Sequence, residues 1–274
     1  MKNLVLIDFT DESIHALEYA VAFSKSIKGK LELINVTKSL EFDQNFEKLE
    51  FIRSKYSSED FYLEIKSIIG TLDHDLPIYI EDQKIGFVFC GTHNLKLQEY
   101  LFSSRALKLM NHIEANFLFI PTTLKTFRPI KHVLAPILTN KHSLQKLEAL
   151  RYLRLMMDFK LSLITYRSSN SDENHVLNEQ LIIAGKILEK ANINFEVDYI
   201  GRSENELKSM LIEHSVENDV DMISLVNLTK SGLINLNSKA FMDALIRNDY
   251  KIPILAIQDR QVSSYSGHQI SGGV

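Results

Sequence analysis

Short apolar runs alternate with segments of helical periodicity along the first half of the chain. The apolar runs predict five strands, at Asn3–Ile7, Leu31–Val36, Tyr62–Ile69, Phe87–Cys90 and Phe117–Ile120. The run at Phe87–Cys90 is continuously apolar, as in a central strand that is covered on both faces. A strand followed by a helix, repeated along the chain, predicts an open parallel sheet with right-handed crossovers and helices on both faces.

Helical segments fill the gaps between these strands. Thr10 is a candidate N-cap, and Lys28 with Gly29 predicts a helix stop. The next segments with helical spacing are Phe42–Tyr56, a weaker one at Pro77–Lys84, and a helix lined by Ala106, Leu109, Met110 and Ile113.

The second half of the chain repeats this order about 130 residues later. Lys30–Ile34 returns as Lys160–Ile164, and Ser13, Leu17 and Glu18 return as Ser143, Leu147 and Glu148. A period of this length indicates a duplicated domain, because solenoid repeats run at about 20 to 50 residues. We therefore predict domains at residues 1–125 and 126–260, joined where prolines and threonines break the periodicity, and a flexible tail at 261–274.

Two apolar segments would form exposed sheet edges if each domain stood alone. They are Asn116–Ile120 in the first half and Ile252–Ile257 in the second. Bare apolar edges promote aggregation, so we predict that these two strands pair with each other. The expected product is one compact, pseudo-symmetric body.

Composition excludes several classes of protein. The chain has 35 acidic and 31 basic residues and a net charge of -4, without the clustered Lys and Arg of a nucleic-acid binder. Its one cysteine, Cys90, cannot form an internal disulfide and indicates a reducing compartment. No stretch reaches the roughly 18 apolar residues that a spanning helix needs. We therefore expect a cytoplasmic protein without nucleic-acid or membrane partners.

Two segments resemble the universal stress protein (UspA-like) family in its tandem-domain form. Leu4–Ser13 is similar to the family's opening strand, Asp-Phe-Ser and helix start, and Phe87–Asn94 is similar to its fourth strand followed by Gly-Thr-His-Gly. The resemblance covers about residues 1–258. It implies two Rossmann-like domains of the adenine nucleotide alpha hydrolase type, α/β with open five-stranded parallel sheets, paired through their fifth strands.

The same resemblance implies a binding site for ATP or another adenine nucleotide at the carboxyl ends of the strands. Its members would be Asp8, Val36, Cys90, Gly91, Asn94, Ser104 and Arg105. ATP-binding members carry G-x2-G-x9-G-[S/T] after the fourth strand, where glycines let backbone N–H groups approach the phosphates. Here only Gly91 of the three glycines is kept. In the second half Val226 replaces that glycine and Leu138 replaces Asp8, so we expect any ligand in the first half only.

The candidate residues also have structural interpretations. Asp8 could hold a ribose or a metal, or it could organise the turn before a helix. Asp73–Asp75 has metal-ligand residue types, but adjacent loop residues rarely converge on one ion, so we expect no metal site. His93 fits loop packing better than catalysis, since no partner nucleophile is found by spacing. Arg105 could bind an anion or be a solvated arginine at a helix end.

Three functions from different classes remain. The leading one is a non-catalytic regulatory or scaffolding protein of the stress response, with an unidentified protein partner and with homodimerisation optional. The alternative is a sensor that binds an adenine nucleotide in the first half, with or without slow ATP hydrolysis. An unrelated α/β enzyme ranks third, because no acid–base or nucleophile set can be assembled near the strand ends.

Overall fold

The computed structural model of this chain describes most of both halves of the sequence. The described residues are 2–81, 83–92, 109–110, 113, 115–124, 126–227, 241–242, 244–246 and 250–258.

The first half alternates strands and helices in the predicted order. Its strands are β1 (Lys2–Leu6), β2 (Lys30–Thr37), β3 (Leu63–Ile69), β4 (Ile85–Thr92) and β5 (Asn116–Pro121). Its helices are α1 (Asp11–Ser26), α2 (Phe42–Tyr56) and α3 (Asp75–Ile80). Strands β2, β4 and β5 extend the predicted apolar runs by one or two residues at each end.

The second half repeats the alternation. Its strands are β6 (His132–Pro136), β7 (Lys160–Thr165), β8 (Phe195–Tyr199), β9 (Met222–Asn227) and β10 (Ile254–Gln258). Its helices are α4 (Lys146–Arg154), α5 (Ser171–Lys190) and α6 (Glu204–Glu217).

Local sequence signals explain where α1 begins and α3 lies. The Thr10 side chain accepts from the Ser13 N–H and caps α1, as predicted. The weaker helix predicted at Pro77–Lys84 is wrong in its bounds, because α3 begins at Asp75 and ends at Ile80. The Asp75 carboxylate accepts from the Thr71 N–H and closes the turn ahead of this helix, and Pro77 fits its first turn because it needs no N–H partner there.

The described strands form one ten-stranded sheet. Its order is β3-β2-β1-β4-β5-β10-β9-β6-β7-β8. Strands are parallel within each half, and among the described strands one antiparallel pair joins β5 to β10, where Leu118 faces Leu255. The predicted α/β fold and the predicted pairing of the two apolar edge strands are therefore confirmed. The order is compatible with two tandem five-stranded units.

The hydrophobic core runs across the junction on both faces of the sheet. On one face Leu118 and Leu255, both at most 1% exposed, belong to a single apolar cluster that also includes residues of α1 and α4. On the other face Phe117 and Ile254 belong to a second cluster. Because side chains alternate along a strand, the β5–β10 pair contributes to both layers.

Parts of the sequence prediction fall outside the described residues. The tail at 261–274 does, and so does Ala106 of the helix predicted before β5, whereas Leu109, Met110 and Ile113 are described and buried. The domain boundary at residues 125 and 126 stays a prediction. Among the described helices, none has both the length and the apolar character needed to cross a bilayer.

Truncation of one leucine tests the importance of the junction. Leu255→Ala removes a fully buried side chain at the β5–β10 contact, and we expect it to lower the free energy of unfolding by about 3 kcal/mol. Leu155→Ala is the same chemical change at a residue that is 82% exposed, and it should shift stability by less than about 0.5 kcal/mol. Urea denaturation of both variants makes the comparison, and equal losses would contradict the junction's role.

Candidate functional site

The carboxyl ends of β1, β2 and β4 lie side by side in the first half, and we call the region beyond them its crevice. Strand β1 lies between β2 and β4, with Leu6 beside Ile34 and Val5 beside Phe89. This is the point at which the strand order reverses, where open parallel sheets bind ligands. Asp8 follows Leu6 by two residues, Val36 follows Ile34 by two, and Gly91 follows Phe89 by two. The register therefore brings the three together at the carboxyl ends of these strands.

Asp8 organises the turn between β1 and α1. Its Oδ1 accepts from the Thr10 hydroxyl at 2.6 Å and from the Thr10 N–H at 3.1 Å, and its own N–H donates to the Ser13 Oγ at 3.3 Å. The next residue, Phe9, has a φ of 65°, which is left-handed and unusual for an aromatic residue. The Asp8 side chain is exposed, and its Oδ2 makes no hydrogen bond within the described part of the chain.

Val36 and Cys90 lie on the α3 side of the sheet at different depths. Val36 is half-buried and packs against the apolar cluster on this face, so part of its surface faces the crevice. Cys90 is fully buried in the same cluster, and burial raises the pKa of its thiol to about 12. A ligand in the crevice would therefore meet the backbone of Cys90 rather than its sulfur.

Gly91 is placed against the first turn of α1. A Cβ at Gly91 would lie 2.3 Å from the carbonyl oxygen of Glu12, which is far closer than van der Waals contact. The absence of a side chain therefore lets β4 pack against α1, whatever the crevice binds. The other members of the predicted loop, His93, Asn94, Ser104 and Arg105, lie outside the described residues.

The corresponding crevice of the second half keeps the same frame. The Leu138 N–H donates to the Ser143 Oγ at 3.3 Å, as the Asp8 N–H does to Ser13. This shared bond gives a physical reason for the serine that the sequence repeats at an interval of 130 residues. Leu138, however, offers no acceptor for a ribose hydroxyl.

Tyr166 fills the second crevice at the position that corresponds to Val36. Its side chain is 1% exposed, and its hydroxyl donates to Glu173 Oε1 at 2.5 Å. The Ser168 hydroxyl donates to the other oxygen of Glu173. Burial, together with the Glu173 carboxylate, raises the pKa of Tyr166, and these bonds lower that of Glu173. The position that Val36 takes in the first half is therefore occupied in the second half by a buried ring whose hydroxyl is held by a hydrogen bond.

Lys146 is a buried charged group that the sequence prediction missed. Its side chain is 2% exposed, and Nζ donates to the backbone carbonyls of Pro136, at the end of β6, and of Ser143, in the short turn before α4. Burial lowers the pKa of Lys146 to about 7. The interval of 130 residues aligns Lys146 with Ala16, on the apolar face of α1. A lysine at a position that the repeat predicts to be buried was the signal in the sequence that could have found it.

The acidic loop before α3 has a structural role. Asp75 Oδ2 accepts from the Thr71 N–H at 2.7 Å, and Asp75 Oδ1 lies 3.3 Å from His74 Nδ1. The Thr71 N–H and the His74 ring together lower the pKa of Asp75. Among the described residues, no three His, Cys, Asp or Glu side chains converge as metal ligands would.

Comparison with solved structures identifies the fold. A universal stress protein from Archaeoglobus fulgidus DSM 4304 superposes with a TM-score of 0.70 and 13% identity, over 94% of this chain and 98% of that one. A proposed universal stress protein from Pseudomonas aeruginosa UCBPP-PA14 gives 0.61 and 12%, over 94% and 92%. A universal stress protein in complex with cAMP gives only 0.37 and 17%, over 48% of this chain and 100% of that one, too low to support an argument.

Sequence comparison gives a different result. No protein-family model matches the chain, and no curated protein matches it. The structural likeness nevertheless shows that the chain has the fold of the universal stress proteins over nearly its whole length. The resemblance that the sequence predicted is thus confirmed at the level of the fold.

Adding a methyl group at Gly91 tests the close packing of β4 and α1. We expect Gly91→Ala to lower the free energy of unfolding by about 1 to 3 kcal/mol, because backbone must move away from the new Cβ. Gly185→Ala is the control. It lies within α5, its Cβ would meet only the Phe195 ring at 3.3 Å, and alanine favours the helix. Thermal unfolding of both variants decides, and an unaffected Gly91→Ala would exclude this role.

The buried ammonium of Lys146 predicts a dependence of stability on pH. In the unfolded chain the lysine regains its ordinary pKa of 10.5, so from pH 7 upward the unfolded state holds more protons than the folded state. Stability should therefore rise with pH, by about 2 kcal/mol between pH 7 and 9 from this group alone. Lys146→Met should abolish that rise and stabilise the protein at pH 7.

The control is Lys141→Met, the same change at an exposed residue one turn earlier. It should leave the pH dependence of wild-type unfolding unchanged. Urea denaturation at pH 7, 8 and 9 measures all three proteins. If the free energy of unfolding rose equally with pH in wild type and Lys146→Met, the pH dependence could not be assigned to Lys146.

Proposed function

We propose that this chain is a universal stress protein that acts as a regulatory or scaffolding protein without catalysis. The observation that carries the proposal is the closure of one crevice in a protein with this fold. In the second half Tyr166 is a buried ring bound to Glu173 at the position of Val36, and Leu138 takes the place of Asp8. A protein under selection for nucleotide turnover at both sites would keep both crevices open, whereas a scaffold needs only its outer surface.

The first half favours a second candidate function, binding of an adenine nucleotide as a signal. Asp8 presents a free carboxylate oxygen at the switch point, and Val36 beside it offers a small apolar surface. The Lys48 ammonium lies 4.9 Å from the ring centre of Phe9, the residue after Asp8, and adds positive charge near the crevice. In this proposal the ribose binds Asp8, the adenine lies on Val36, and the phosphates approach Gly91, with Asn94, Ser104 and Arg105 beyond it.

The phosphate end of this proposed site limits its affinity. A Cβ at the positions of Asn94 and Ser104 restricts the backbone conformations with positive φ that bring N–H groups close to a phosphate. Asparagine adopts the left-handed conformation more readily than most residues do, so part of the loop shape can persist. Arg105 would supply charge-assisted hydrogen bonds in place of the missing glycines. The expected affinity for ATP is therefore weak.

Calorimetry with ATP, ADP and AMP tests the placement of the ligand. We expect at most one nucleotide per chain, and Asp8→Ala and Arg105→Ala should each lower the affinity about tenfold, or about 1.4 kcal/mol. Asp60→Ala makes the same change in the turn before β3, at the amino ends of the first half's strands, and should leave the affinity unchanged. Two nucleotides per chain, or sub-micromolar ATP binding that both site variants leave intact, would refute this placement.

A parallel assay separates the scaffold from the slow ATPase. Phosphate release from ATP should not differ between wild type and Asp8→Ala if the chain is non-catalytic. Release by wild type that Asp8→Ala abolishes would favour the enzyme and overturn the leading proposal. Mass spectrometry of ligand carried through purification would identify a different small molecule.

A further inference from the structure

One flank of α2 exposes apolar side chains beside the edge of the sheet. Leu40, in the short turn before α2, is fully exposed, and Phe46 is 38% exposed and stacks on Phe42 with ring centres 6.0 Å apart. We call Leu40, Phe42 and Phe46 the α2 ledge. Farther along the same flank, Arg53 donates to the Tyr62 hydroxyl at 3.2 Å, so the flank faces β3.

Strand β3 is the last strand at this end of the sheet. It pairs with β2 alone, so its outer backbone N–H and C=O groups have no strand partner in the described part of the chain. Its seven residues span about 23 Å. Ile69, at its carboxyl end, is 53% exposed, and the alternation of side chains places it on the same side of the sheet as α2. An open strand edge and an apolar ledge therefore lie side by side.

Acidic residues surround the ledge. Glu41, Asp43 and Glu47 are exposed. Asp43 and Glu47 form no ion pair among the described residues. Asp43 and Glu47 are four residues apart, so their charges repel on the surface of the helix and lower its stability slightly. Glu50, in contrast, pairs with Arg53. Unpaired carboxylates thus lie beside the apolar surface.

We infer that the α2 ledge and the β3 edge bind an extended, basic segment of a partner protein, which adds to the sheet as a strand. Its backbone would pair with β3, its apolar side chains would lie on the ledge, and its Lys or Arg side chains would meet Asp43 and Glu47. The inference deepens the proposed scaffolding role and rests on it. It does not depend on nucleotide binding.

Charge distinguishes this partner from a second copy of the chain. A two-fold dimer through the ledge would bring Asp43 and Glu47 of both copies together and would repel. A contact with the other sheet edge is also disfavoured, because β8 carries Asp198, and its Glu196 is already paired with Lys160. A basic segment meets neither difficulty.

The test uses a fluorescent peptide of about eight residues that alternates lysine and valine, the length of a typical strand. Binding to the full chain is measured by fluorescence anisotropy. We expect the affinity to fall about tenfold relative to wild type in Phe46→Ser, and likewise in the separate double variant Asp43→Lys, Glu47→Lys. Ile182→Ser, which changes an apolar residue that is 58% exposed on α5, is the matched control and should bind like wild type. A peptide that alternates glutamate and valine should not bind.

A second readout locates the peptide. Hydrogen exchange of the β3 backbone, residues 63–69, should slow when the peptide is bound, whereas exchange in β8 should not change. Equal affinity of Phe46→Ser and wild type, or protection confined to elements other than β3 and α2, would overturn the inference, as would a wild-type dimer in sedimentation that Phe46→Ser dissociates. Calorimetry with nucleotide on Phe46→Ser should give the wild-type affinity. The peptide assay and the nucleotide assay can therefore fail independently, and each failure bears on its own site.

Discussion

The antiparallel pairing of β5 with β10 is the contact on which the architecture depends. Each strand is apolar on both faces, so neither can remain an exposed edge in water. Their pairing satisfies both backbones and joins the two five-stranded sets into one sheet. Because the contact is antiparallel and each set is internally parallel, the strands of the two sets run in opposite directions. The carboxyl ends of one set therefore lie on the same side as the amino ends of the other. The two crevices therefore face away from each other and can diverge independently.

The divergence keeps the backbone frame and exchanges the side chains. Ser13 and Ser143 make the same bond to the turn after the first strand of each half. Asp8 corresponds to Leu138 at this turn, and Val36 corresponds to Tyr166. The fold favours a hydroxyl that closes this turn, because a partly buried N–H without an acceptor is unfavourable. The residues that would touch a ligand are free to change once no ligand needs them.

The sequence predicted the fold well because the fold depends on patterns that are local or repeated. The apolar runs placed each strand of the first half to within two residues, and the two apolar edge segments predicted the central junction. Gly91 could be predicted as a site residue only through the resemblance. Its contact with Glu12 depends on how closely α1 packs on β4, which no local pattern reveals.

Side chains buried by tertiary packing were harder to predict. Lys146 has the residue type of a surface position, and its burial depends on two backbone carbonyls that come together only in the folded chain. The exposure of the α2 ledge could not be predicted for a related reason. Phe46 has helical spacing with Leu49, but spacing alone cannot show that β3 is the last described strand at this end of the sheet, so that no described strand covers this flank.

The closed second crevice also determines how the chain can respond to a ligand under the proposed function. With one open site per chain, binding follows a simple saturation curve, and the two halves cannot cooperate with each other. A steeper response would need a second chain or a protein partner whose binding differs between the free and the occupied states. The α2 ledge begins shortly after Val36, since Leu40 is four residues farther along the chain. Under the proposed function, the turn that joins β2 to α2 is therefore the segment that connects the first crevice with the α2 ledge.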